Sequence, residues 1–151
     1  MRKGSRYSLS ALPGVGGTAR LVRDDVVTST EVEGVLLEEQ FLLADGNAVL
    51  WLTEDSPHDE GLHIYLVDAQ ASIVDAMAAG AAFTAGVLEI KSFGDEWCEF
   101  EFFRNHVLYR LIVDREPVFR LPLPTGWRYK RAFRKHRLSL QKSGDKGNAG
   151  G

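Results

Sequence analysis

The apolar positions of this chain alternate with polar ones over short runs, and turn-forming residues separate the runs. That is the pattern of β-strands rather than of amphipathic helices. The clearest stretch runs from Phe41 to Val67 and reads as three consecutive antiparallel strands. Asp45-Gly46 lies between Phe41-Leu42-Leu43 and Ala48-Val49-Leu50-Trp51-Leu52, and an Asp-Gly pair accepts the positive φ angles of a tight hairpin turn. The next segment, Glu54 to Gly61, predicts a loop, because Pro57 has no ladder donor and four carboxylates would repel in register. Beyond it Leu62, Ile64 and Leu66 alternate with His63, Tyr65 and Val67. Since the second face is half apolar as well, this strand is expected to be covered on both sides.

The remainder continues the theme. Residues 1–17 predict a flexible basic and glycine-rich arm, and Thr18 to Val27 a first, weakly patterned strand. Thr28-Ser29-Thr30-Glu31 resembles a helix capping box, so Glu31 to Gln40 reads either as a short helix or as a strand bulged near Gly34. The strand is preferred, because its apolar positions run unbroken into the Asp45-Gly46 turn. After a turn at Asp68 to Ala71, Ser72 to Met77 predicts a strand and Ala78 to Ala82 a connection. A hairpin follows, with Cys98, Phe100 and Phe102 on one face and Trp97, Glu99 and Glu101 on the other. Val107, Tyr109, Leu111 and Val113 mark the next strand, which Glu116-Pro117 is expected to break before Val118 to Leu121. Trp127 to Leu140 closes the ordered part, and 141–151 predicts a disordered tail. The sum is a single all-β domain over residues 18–140, an antiparallel meander of eight or nine strands forming a sandwich or barrel, with at most one short helix.

Length agrees, since 151 residues make one domain with a sizeable core. Cys98 is the only cysteine and sits in a strand pattern, which points to a buried thiol and fits a reducing, cytoplasmic setting. The N-terminal stretch lacks an apolar run of signal-peptide type, and no window approaches a membrane span.

Charge changes the picture more. Residues 1–126 carry 20 acidic side chains against 10 basic, while residues 127–151 carry 8 basic against 1 acidic. Between Asp24 and Glu101, 18 acids face the single cation Lys91. Concentrated negative charge on a rigid sheet favours encounter with a basic protein. The leading expectation is therefore a non-enzymatic binding module whose acidic face docks such a partner, in the role of an inhibitor or a bacterial immunity protein. Glu54, Asp55, Asp59 and Glu60 are the expected contacts, with Trp51 or Trp97, if exposed, as the aromatic anchor.

Other chemistries fit less well. His58 and His63, with neighbouring carboxylates, could hold a divalent metal or a small ligand in a β-barrel, but their spacing matches no established metal motif and there is no His-x-His pair. Gly14, Gly16 and Ala19 formally match a dinucleotide fingerprint, yet neither the preceding strand nor the following helix is present. No catalytic motif appears, and no cofactor is expected. Arg128, Lys130, Arg131, Arg134, Lys135 and Arg137, interleaved with Trp127, Tyr129 and Phe133, resemble a single-strand nucleic-acid site. The preferred reading is that this basic run lies against the acidic meander, because an acidic protein repels nucleic acid unless the patch is isolated. Edge strands could also pair two copies into a homodimer.

Overall fold

The computed structural model describes residues 1–14, 16–54, 61–80, 87–102, 107–119, 123–131 and 134–143. Every regular element among them is a strand. In chain order these are β1 (Arg2–Lys3), β2 (Tyr7–Ala11), β3 (Thr18–Arg23), β4 (Val26–Glu33), β5 (Leu36–Leu42), β6 (Ala48–Thr53), β7 (Gly61–Val67), β8 (Ile73–Gly80), β9 (Glu89–Phe93), β10 (Trp97–Glu101), β11 (Tyr109–Val118), β12 (Trp127–Tyr129) and β13 (His136–Lys142). All pairings are antiparallel.

Three open sheets result. The central one has the order β1-β5-β6-β7-β8-β12, a second has β13-β11-β10-β9, and a third has β2-β3-β4. The central sheet is buried on both faces because its strands are apolar at odd and even positions alike. Phe41, Val49, Trp51, Leu62, Ile64, Leu66 and Met77 pack against Cys98, Phe100, Tyr109, Leu111 and Leu138 of the second sheet. Ala48, Leu50, Leu52, Tyr65 and Val67 pack against Tyr7, Leu21 and Val32 of the third. The arrangement is sandwich-like and no barrel closes. The expected meander from Phe41 to Val67 is its centre, with Asp45-Gly46 in the turn between β5 and β6. Gly46 alone takes a positive φ of 88°, and Leu43 N–H donates to Asn47 O, so the loop has three residues and not the two of a tight turn.

Two local devices join the layers. Gly34, at φ 116°, carries the chain from β4 in the third sheet to β5 in the central one; a Cβ there would meet Leu52 Cβ at 2.8 Å. Gln40 substitutes for a missing strand neighbour, its amide donating to Tyr7 O and accepting from Tyr7 N–H, both at 2.9 Å.

Several expectations change. Part of the arm foreseen over 1–17 is strand, β1 beside β5 and β2 beside β3. Thr18 to Val27 is a hairpin instead of one strand, turning at Asp24 and Asp25, whose φ values of 49° and 64° are those of a primed turn. The capping-box segment lies within β4, and 31–40 is strand interrupted at Gly34. β8 continues through Ala78 and Ala79 to Gly80, where a connection was expected. Pro117 does not end β11; the ladder instead loses register between Val113 and Val118, where a missing donor costs nothing. β13 extends through Gln141 and Lys142 into the expected tail.

Candidate functional site

The central sheet is covered unevenly on the face toward β2-β3-β4. Across its strands one row of side chains reads Leu50, Tyr65, Ala76, with Lys130 N–H donating to Ala76 O at the far edge. The neighbouring row reads Leu52, His63, Ala78, Arg128. Alanine on β8 leaves room between the large side chains of β7 and the cations of β12. The result is a cleft of about 310 Å³, roofed by Glu31, Val32 and Glu33 of β4 and flanked by Tyr65, Ala76, Lys130 and Arg131.

Lys130 spans this cleft. Its ammonium lies 2.8 Å from Glu33 Oε1 and 5.5 Å above the Tyr65 ring. That hydrogen bond is the main reason the Glu33 carboxyl is held below its usual range. The Tyr65 hydroxyl accepts the Glu33 N–H at 2.9 Å, and burial pushes its pKa up to about 12, so it remains a protonated donor at any ordinary pH.

Behind Tyr65, on the same face of β7, His63 is buried with Nε2 3.3 Å from Glu54 Oε1. Burial lowers its pKa, and Lys130 lowers it further against the opposing pull of Glu54. A neutral imidazole donating from Nε2 to Glu54 keeps its lone pair on Nδ1, and that buried atom has no partner among the described residues. Glu54 and His63 are only two donors. Among the described residues no group of three His, Cys, Asp or Glu side chains is placed to hold a metal ion.

The residues named from the sequence are not brought together. Asp55, His58, Asp59 and Glu60 lie outside the described residues. Glu54 stands at the end of β6, its side chain 32 % exposed. Trp51 is fully buried between Phe41 and Phe100, so it offers no surface to a partner. Trp97 is on the outer face of the second sheet, with the Arg110 guanidinium 4.4 Å from its ring centroid. Of the basic run, Arg128, Arg131, Arg134 and Lys135 are exposed, whereas Lys130 turns to Glu33 and Arg137 inward to Asp114 O and Asp45. Trp127 is buried in the main core, and Tyr129 stacks on His136 at 3.5 Å.

Charge that is segregated along the chain is partly matched in space. Among the described residues six cationic side chains from outside the acidic stretch pair with it: Lys3 with Glu39, Arg6 with Asp24, Arg110 with Glu99, Arg115 with Glu96, Lys130 with Glu33 and Arg137 with Asp45. Asp75 is handled differently. It is buried, accepts from His136 Nδ1 and Ala76 N–H at Oδ1 and from the Arg137 and Leu138 N–H groups at Oδ2, and so ties β13 to β8. Burial also pushes the Cys98 thiol up to about 12, which leaves it an inert core group.

A larger cleft of about 510 Å³ opens where the turn after β5 meets the second sheet. Its two arginines are already engaged, Arg115 by Glu96 and Arg137 by Asp45. The smaller cleft is the better candidate, because Tyr65 and His63 place polar atoms behind it. The sequence signal for it was weak: His63 and Tyr65 are the only polar-bearing positions on an otherwise apolar strand, and they face two alanines.

Fold and site together define an all-β protein of three sheets with a charged cleft on the face of the middle one. No protein-family model matches the chain, no curated protein matches it, and no solved structure matches it.

Proposed function

We propose that the chain is a non-enzymatic binding protein that takes a small anionic ligand in the cleft between β4 and β12. The observation that carries this reading is the Lys130–Glu33 pair across the cleft above Tyr65. A ligand carboxylate or phosphate can replace Glu33 at Lys130 while accepting from the Tyr65 hydroxyl and the Arg131 guanidinium. The volume of about 310 Å³ lies at the small end of ligand pockets. Thermal unfolding in a panel of small carboxylates and phosphates tests it. At least one compound is expected to raise the midpoint of the wild type and to leave Lys130→Ala and Tyr65→Phe unmoved; equal shifts in all three proteins contradict it.

A second reading keeps the acidic loop as a dock for a basic protein. Its support is the partly exposed Glu54 carboxylate at the loop's start. A pull-down with the wild type and with the Glu54/Asp55/Asp59/Glu60 quadruple alanine variant separates the two. A basic protein held by the first and lost by the second favours docking, and identical recoveries remove it.

A further inference from the structure

One corner of the molecule carries exposed cations beside an exposed aromatic ring. Tyr129, the last residue of β12, stacks on His136, the first of β13, and His136 is the register partner of Val118 at the end of β11. Three strand ends therefore meet there. Arg134 and Lys135, which precede β13, are exposed there, whereas Arg128 and Arg131 lie toward Glu33 and Tyr65. Phe119 follows Val118 with 75 % of its surface in water, the most exposed large apolar side chain among the described residues. The Lys135 ammonium lies 5.7 Å from its ring centroid. Neither Arg134 nor Lys135 is ion-paired among the described residues, and the nearest acid along β11 is Glu116.

We propose that this corner binds single-stranded nucleic acid, with Phe119 as the stacking platform and Arg134 and Lys135 on the phosphates. Two observations favour that partner. An exposed ring beside unpaired cations supplies both parts of a sequence-tolerant single-strand site, a π-face for a base and charge along the backbone. The repulsion expected from an acidic protein is also reduced, because Lys3, Arg6, Arg110, Arg115, Lys130 and Arg137 neutralise acids elsewhere. The basic run is thus divided. Arg128, Lys130, Arg131 and Arg137 serve the fold and the cleft side, and Arg134 and Lys135 face the corner. Phe119 takes the place that the sequence pattern gave to Trp127 and Tyr129.

Fluorescence anisotropy with labelled dT12 and rU12 between 50 and 200 mM KCl tests the site, independently of the cleft. Two phosphate contacts predict a log–log salt slope of about −1.4. Arg134→Glu combined with Lys135→Glu should at least halve that slope, and Phe119→Ala should weaken binding roughly 5- to 100-fold. Lys91→Glu, on the far edge strand β9, should leave both unchanged. Unchanged urea midpoints in the variants establish that exposed positions were altered without loss of the fold. Three results overturn the proposal: no binding at about 100 µM protein in 50 mM KCl, binding that survives both sets of substitutions, or capture by phosphatidylserine vesicles without capture of either oligonucleotide.

Discussion

Asp75 shows how much one side chain can hold. Its carboxylate is buried and receives four hydrogen bonds, three of them from the segment 136–138, so a single residue attaches the last strand to the central sheet. Asp75→Ala leaves those donors unpaired and is expected to cost about 3–5 kcal/mol by urea unfolding. A loss under 1 kcal/mol would mean that water or a neighbour replaces the carboxylate. Gly34 is constrained by space as well as by φ, and Gly34→Ala is expected to lower stability through the clash with Leu52. His63 supplies a pH dependence. Its folded pKa lies below the ordinary 6.5, so the unfolded chain takes up its proton first as pH falls. Its contribution is therefore complete above about pH 6.5 and is lost below it, down to the folded value. Urea midpoints of the wild type should fall more steeply from pH 6.5 to 5 than those of His63→Gln; parallel curves would contradict the assignment.

At the scale of elements, legibility followed the strength of each local signal. The β5-β6-β7 meander was readable because turn residues and alternation agree, and the double burial of β7 followed from its half-apolar second face. The β3-β4 hairpin was not, since Asp-Asp carries a weaker turn preference than Asp-Gly and the flanking valines and arginines alternate poorly. Its turn is consequently improvable. Asp25 sits at φ 64°, where a Cβ is disfavoured, and Asp25→Gly is expected to gain roughly 0.5–1 kcal/mol in thermal unfolding. A net loss would show that the Asp25 side chain has a role of its own. The end of β8 is hidden in the sequence because an alanine run has no alternation to follow, yet those alanines let Lys130 and Tyr65 face each other across open space. The cleft was therefore invisible for the same reason that it exists.

For the whole molecule, the charge segregated along the chain is partly paired in space. The acidic middle is met by cations from both ends of the chain and from β11, pairs that individually contribute about 0–1 kcal/mol at exposed positions and offset part of its charge. The sheet edges open to a second copy are β1, β12, β9, β13, β2 and β4; the first two are two and three residues long, and β9 carries Glu89 and Lys91. Short length at β1 and β12 and charge at β9 disfavour pairing at those three edges. Among the described residues no helix is long and apolar enough to cross a membrane. What the fold adds to a plain three-sheet stack is the gap left over β8, and the account depends on that gap receiving a ligand. An amide-resolved NMR titration with inorganic phosphate and then citrate tests this most directly. The account predicts saturable shifts concentrated at Glu33, Tyr65, Ala76 and Arg131 and abolished by Lys130→Ala; shifts confined to the exposed Arg134 and Lys135, or equal in the variant, would contradict it.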